Sequence, residues 1–529
     1  MASKIFLGDM PELMENILNN LNEEFYSLHS CALVNRHWCK MTIPILWRDP
    51  FSFEQKPMFI SRYFIALNED DQFILKDCGI SVDFPNTLFH YAKFLKVLNL
   101  SRLEKKVKHW IGLHLFNPQK HINTLTYHIA NLLFKLFIES GTTLSKLDLY
   151  IPYDVIEIKP EIFYSLGRNE HFFSRLQDLS VGAISDFCIE DATTLLGILA
   201  KNTRKINTLT FNAFESDYEP KLYHTFICIV KSQEQLKRFN LLGGEGLPAE
   251  FYGIISALEY QKNSLQEIKI DYCAYSKEFE TLANCEKLKV IRILYCHEDN
   301  KLLKILNTNH YKISTLEITS YSLDALNIIQ ILEKSGLLLQ RLKLNSEEEE
   351  ISSQSNLLET LTTFCPNIVY LYISHIELSQ QLLKLVENLQ KLQYLTLLWI
   401  NDGTEEVTKG RVMQFAEKLP LTLQYLNLGD IWSNSHINIL LNYCNVPLKQ
   451  LLFSIDCDND FDYKKTIETL IEFCKRKRTL KDVYVSKMKG APHMYNYKRN
   501  LSDAILNKVQ KDLEGYVKLV SYECIVVNC

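Results

Sequence analysis

The stretch DALNIIQILEKSGLLLQRLKL, Asp324 to Leu344, holds one complete structural unit of this chain. Ala325, Ile328, Ile329 and Leu332 recur at the spacing of one helical face over Asp324–Ser335. Gly336 then ends the helix. Leu339, Leu342 and Leu344 follow as an LxxLxL pattern, whose last two apolar residues alternate as in a half-buried strand. Working outward from this unit, LxxLxL recurs fourteen times when Ile, Val or Phe is allowed. It begins at Leu95, Leu144, Leu176, Ile206, Leu236, Leu265, Leu288, Ile313, Leu339, Ile368, Leu392, Leu423, Leu448 and Leu480. The spacings run from 23 to 49 residues and average about 30. Helical patterns lie between the strands at Asp191–Lys201, Glu250–Gln261, Asn356–Phe364 with Pro366, and Arg411–Lys418 with Pro420.

A strand–helix unit of this size cannot bury its own apolar side, so successive units must stack. The period and pattern resemble long leucine-rich repeats. That resemblance implies an α/β solenoid, a horseshoe over residues 91–485 with strands on the concave wall and helices on the convex one. It also wants Asn or Cys shortly after each strand, a slot that Cys273 and Cys296 fit. The long first gap, Leu95 to Leu144, is expected to hold an irregular insertion around His109 to His121. Residues 486–529, a helix pattern followed by the strand-like SYECIVVN, are expected to cap the array.

The first fifty residues do not follow this period. Asp9 is a candidate cap, with Pro11 and Glu12 at a helix start and Met14, Ile17, Leu18 and Leu21 on one face. Phe25, Leu28, Cys31 and Ala32 repeat that spacing. Asn35 begins a third segment with Trp38, Met41 and Ile45 apolar, before Pro44 and Trp47 close the module. Three helices this short cannot bury all these faces among themselves, and a partner would cover the remainder.

The strings MPELMENILNNL (Met10–Leu21), LHSCALVNRHW (Leu28–Trp38) and PILWR (Pro44–Arg48) resemble an F-box in order and spacing, with Met10 where Leu is usual and Asn35 where Ser is common. The resemblance implies docking onto the Skp adaptor of a cullin–RING ubiquitin ligase. By carry-over the contact residues would be Met10, Pro11, Ile17, Leu18, Leu28, Cys31, Leu33, Val34 and Trp38. Residues 1–50 are thus read as an F-box and 51–90 as a packed helical connector, in which Phe59, Tyr63, Phe64 and Leu67 suggest one more helix.

Composition is globular, at 47% hydrophobic and 23% charged, and the net charge of −5 gives no global case for nucleic acid or anionic membrane. The runs Glu347–Glu350 and Lys475–Arg478 are short and are read as solvated. Fourteen cysteines without a CxxC pair, no signal-peptide pattern and no membrane-length apolar run point to a reduced, cytoplasmic or nuclear protein. The ending CIVVNC does not place a cysteine where prenylation requires it. No catalytic, cofactor or metal motif is found. Gly243–Gly246 lacks the spacing of a nucleotide loop, and His109, His114, His121 and His128 lack a metal-site pattern.

What the repeat offers is a surface. Residues flanking the fourth motif position should face the groove: Arg238, Glu267, Lys269, Arg292, Arg341 and Lys343, then Tyr370, Tyr372, Tyr394, Tyr425 and Tyr484. Of these, Arg292, Arg341, Tyr370, Tyr372, Tyr394 and Tyr425 are the candidate residues for holding a protein substrate, expected as an exposed aromatic ladder beside a cationic band. Tyrosine also suits strands in its own right, which accounts for part of its enrichment. The chain therefore reads as a non-catalytic substrate receptor of a ubiquitin ligase or, failing that, a ligase-independent repeat scaffold.

Overall fold

The computed structural model of the chain describes residues 11–487 and 503–529, apart from 23, 78–79, 81–86, 115–121, 150–157, 183, 185–188, 216–219, 245, 308–310, 401–403, 430–431 and 457–459. The chain divides into two compact units, Met1–Leu265 and Gln266–Cys529.

The first unit opens with three helices, α1 (Pro11–Asn19), α2 (Phe25–Ala32) and α3 (Arg36–Leu46). Asn35 caps α3 from extended backbone, its Oδ1 accepting from the Trp38 amide at 2.9 Å. Asn35→Ala is expected to cost about 1 kcal/mol, read as faster hydrogen exchange of the first amides of α3. Pro44 stands inside this helix, and Trp47 caps its end where the module closes. The last turn survives because the Trp47 amide bonds to Ile43 O at 3.0 Å. Met14, Leu18, Leu28, Ile45 and Leu46 form the core of the module, with Leu21, Phe25, Trp38 and Met41 packed around them.

The connector is a 3₁₀ turn, Pro57–Ile60, running into the helical turn Ser61–Phe64, with a further helix at Glu69–Asp77. It packs tightly. Trp47 stacks on Tyr91 with ring centroids 3.9 Å apart, and the Trp110 indole donates to Ser61 Oγ at 3.0 Å. The gap before Leu144 holds the helices Leu100–His114 and Ile122–Glu139, and most of the stretch where an irregular insertion is expected, residues 115–121, lies outside the described residues. Leu103, Val107, Trp110 and Ile111 line the buried face of the first, and the second is buried on nearly every side over residues 125–138.

Five parallel strands follow one another in this unit: β1 (Val97–Asn99), β2 (Lys146–Leu149), β3 (Asp178–Val181), β4 (Thr208–Phe214) and β5 (Arg238–Gly243). The register aligns Leu98, Leu147, Leu179, Leu209 and Phe239, the fourth residues of successive LxxLxL motifs, and all are buried. Between the units of the stack, buried glutamines satisfy backbone groups. Gln233 accepts from the Ile206 amide at 3.0 Å and Gln261 from the Leu236 amide at 3.2 Å. The helix expected over Glu250–Gln261 is reduced to a 3₁₀ segment, Ser256–Gln261, because Tyr252 and Gly253 take positive φ and interrupt it.

The second unit holds ten parallel strands in sequence order: β6 (Glu267–Asp271), β7 (Val290–Leu294), β8 (Thr315–Ser320), β9 (Arg341–Ser346), β10 (Tyr370–Glu377), β11 (Tyr394–Ile400), β12 (Tyr425–Asn427), β13 (Gln450–Ile455), β14 (Asp482–Lys487) and β15 (Lys518–Leu519). Helices such as Ala325–Ser335, Gln354–Phe364, Gln380–Asn388 and Glu405–Lys418 fill the returns. Each unit is therefore an α/β stack of leucine-rich-repeat type. Cys273 and Cys296 sit in the expected slot, buried, with Sγ donating to Asp271 O at 3.3 Å and Leu294 O at 3.4 Å.

Candidate functional site

Two surfaces stand out, one in each unit. The first is the outside of the three-helix module. Its core uses only one side of each helix, and the other side carries apolar residues in solvent. Tyr26 is 74% exposed and Leu33 73%, with Val34, Ile17 and Leu13 about half exposed or more. Of the residues carried over from the F-box resemblance, Ile17, Leu33 and Val34 lie on this open surface, while Cys31 and Trp38 are half-buried at its edge. Leu18 and Leu28 do not belong with them. Both are buried in the core of the module and hold its helices together, so a partner cannot touch them. Pro11 opens α1, and Met10 lies outside the described residues. Leu13 and Tyr26 were missed because helical spacing reports an apolar face without saying which of two such faces turns inward.

The second surface is the strand face of β6–β14. Two rows of side chains run across it. One row aligns Glu267, Val290, Thr315, Arg341, Tyr370, Tyr394, Tyr425, Gln450 and Asp482. The other aligns Lys269, Arg292, Glu317, Lys343, Tyr372, Thr396, Asn427, Leu452 and Tyr484. Arg292 is forked between Glu267 and Glu317, its Nε 3.1 Å from Glu317, and Lys343 reaches the same Glu317 at 2.8 Å. The Arg341 guanidinium lies over the Tyr370 ring at 4.6 Å and the Lys343 ammonium over Tyr372 at 5.3 Å. The cationic band and the aromatic ladder are thus one continuous surface, as the sequence implied.

The ladder is not open, however. Residues 520–529 cross it. After β15 pairs with β14, Ser521 starts a single helical turn, Tyr522–Ile525, and the Tyr522 ring packs on Tyr484 at 5.4 Å. Ile525 joins Tyr425 and Leu452 in a small buried cluster flanked by Tyr394, Tyr484, Val520, Tyr522 and Val527. Beyond it the chain accepts three hydrogen bonds from three strands. Tyr370 Oη donates to Val527 O at 3.2 Å, Arg341 donates to Asn528 O, and Arg292 donates to Cys529 O at 3.2 Å. Tyr370 and Tyr425 are consequently 2% and 1% exposed, where the sequence led us to expect exposed rings. Burial pushes the Tyr425 phenol up to about 12 and raises those of Tyr370 and Tyr372 as well. The Cys529 thiol, beside Glu317 and the Arg341, Arg292 and Lys343 cations, is pushed up to about 11 by burial. SYECIVVN is therefore not a capping strand: the strand next to β14 is Lys518–Leu519, and the apolar residues that follow pack across the ladder.

A further cluster was not anticipated. Tyr272 and Tyr295 follow β6 and β7 with positive φ, their rings stacked 4.9 Å apart, and Tyr321 packs on Tyr295 at 5.7 Å. The Tyr295 hydroxyl donates to Glu347. The repeated Tyr-Cys pairs at Tyr272–Cys273 and Tyr295–Cys296 were the signal in the sequence that could have found it. Among the described residues, no group of three His, Cys, Asp or Glu side chains is arranged to hold a metal, and no helix is long and apolar enough to cross a membrane. His114 is engaged with Trp110 O at 3.0 Å, and His121 lies outside the described residues.

No protein-family model matches the sequence, and no curated protein matches it. Among solved structures, the chain is similar to a protein of Bacteroides fragilis at 12% identity and a TM-score of 0.26, over 55% of this chain and 65% of that one. It is also similar to TLR13, solved in complex with ssRNA13, at 14% identity and a TM-score of 0.26, over 66% of this chain and 46% of that one. The chain thus spans less than two thirds of either structure, and the leucine-rich-repeat-like fold rests on the strand order and register of each unit.

Proposed function

We propose that this chain is a non-catalytic receptor subunit of a Skp–cullin–F-box ubiquitin ligase. In this reading the three-helix module docks the Skp adaptor, and the strand face of the repeats takes a protein client for ubiquitylation. The observation that carries the reading is the exposed apolar surface of α1–α3, with Ile17, Leu33 and Val34 in solvent although the module already closes a core of its own. Exposed apolar side chains gathered on short helices and on the turn between α2 and α3 are a surface for a helical partner, and Ile17, Leu33 and Val34 among them coincide with residues that the F-box resemblance assigns to the adaptor. The repeats supply what a receptor needs besides docking, an array of arginines and tyrosines on adjacent strands, residue types that dominate protein interfaces, with residues 520–529 lying across it.

The test is co-purification of the full chain with a purified Skp-family adaptor, beside the Leu33→Asp/Val34→Asp variant. Placing two carboxylates in a desolvated contact is expected to weaken capture about 100-fold. Because both positions are exposed, the unfolding midpoint should stay where it was. Equal capture by the two proteins, or none by the wild type, overturns the adaptor reading and leaves the repeats as an interaction scaffold.

A further inference from the structure

We infer that the strand face from β7 to β13 is a site for an extended aliphatic peptide of a client protein, and that residues 522–529 occupy it as a displaceable internal copy of that ligand. This deepens the client-binding half of the proposed function and does not depend on the adaptor-docking half.

The site is built before any peptide enters it. Arg292 is held by Glu267 and Glu317 from the two flanking strands, and Arg341 is held over the Tyr370 ring. Both guanidiniums are thus oriented by contacts that do not involve the occupant, and each has an N–H left over to donate. Those leftover donors, with the Tyr370 hydroxyl, meet three successive main-chain carbonyls, of Val527, Asn528 and Cys529. Carbonyls are common to every peptide, so this part of the site reads an extended backbone and is tolerant of sequence. Selectivity sits one step away. Ile525 fills the cluster of Tyr425 and Leu452, ringed by Tyr394 and Tyr484, which suits a branched aliphatic residue and excludes a charge.

The occupant is also lightly anchored. β15 is two residues long, tied to the stack by Lys518 N to Lys481 O and Val520 N to Val483 O, both at 3.0 Å. One helical turn follows, closed by Val526 N to Tyr522 O at 2.9 Å. Past that turn the segment is held by side-chain donors of the strands and not by continuation of the ladder. A client segment with an aliphatic anchor and an extended run after it meets the same donors, and the covalently attached copy competes with it at high effective concentration.

The probe is a fluorescein-labelled peptide of residues 520–529, with serine for both cysteines, titrated by anisotropy onto the full chain. Ile525→Asp in the chain expels the internal copy. This variant is expected to bind the peptide at least about 10-fold more tightly than the wild type, and Arg341→Ala added to it should take most of that gain away. A peptide carrying the Ile525→Asp change should not bind either chain. In the wild type, hydrogen exchange at 524–529 should accelerate when excess peptide is added. The inference falls if the peptide does not bind an Ile525→Asp chain with the wild-type unfolding midpoint, or binds both chains equally. Should that variant fail to fold, unchanged exchange at 524–529 in the wild type overturns the inference and faster exchange supports it. Adaptor capture is measured on the same preparations. Its loss with peptide exchange intact overturns the adaptor reading alone, and the converse overturns this inference alone.

Discussion

Phe137→Ala is expected to destabilise the first unit by about 3–5 kcal/mol, the cost of emptying a fully buried aromatic site. Phe137 lies on the long helix before β2, completely buried, with its ring 5.0 Å from Tyr63 and 6.2 Å from Phe51. Tyr63 in turn packs edge-on against Trp47 at 5.1 Å, the residue that follows α3. Phe137 thus joins the repeat stack to the connector, and through Tyr63 to Trp47 at the end of the three-helix module. Urea unfolding followed by tryptophan fluorescence measures the effect, with Trp47 and Trp110 reporting from this unit. A loss below about 1 kcal/mol would mean that the cluster does not tie the module to the stack. Phe137→Leu, which keeps most of the volume, should cost less than half as much.

The second large effect is expected at Leu371. It lies in the middle of a row that runs Ile268, Ile291, Leu316, Leu342, Leu371, Leu395, Leu426, Leu451 and Val483 through the second unit. It is 1% exposed, with a strand partner on either side. Leu371→Ala should cost about 2–5 kcal/mol, because a cavity between two fixed strands cannot collapse. Each repeat contacts only its neighbours, so hydrogen exchange should accelerate first in β9, β10 and β11. Uniform acceleration from β6 to β14 would contradict nearest-neighbour stacking. Leu33→Ala, an exposed change in the module, is the control and should stay within about 0.5 kcal/mol.

The sequence by itself determined the architecture. Parity along a strand is two, so once LxxLxL had been aligned, the side of every strand residue followed. The fourth and sixth motif positions are buried in each of the fourteen repeats that the pattern found, and the residues between and before them line the strand face as read. Burial of this kind is local, since the neighbouring unit that covers a leucine carries the same pattern. The fifteenth strand, Lys518–Leu519, escaped notice because it has no LxxLxL of its own.

What only the tertiary structure decided is which exposed-looking positions are covered and by what. Tyr370 and Arg341 lie on the predicted face, yet they bond to Val527 and Asn528, more than 150 residues away, and no local pattern encodes such a contact. SYECIVVN alternates well enough for a strand, and only the tyrosine ladder beneath it explains why it lies across strands instead of beside them. Leu18 and Leu28 show the same limit in the module. Helical spacing marked them as apolar and the F-box resemblance placed them at a partner, but packing of three short helices drew them inward and left Tyr26 and Leu33 outside. Periodicity fixes which side chains share a face. Which face meets water depends on the total apolar area that the neighbouring elements have left to cover.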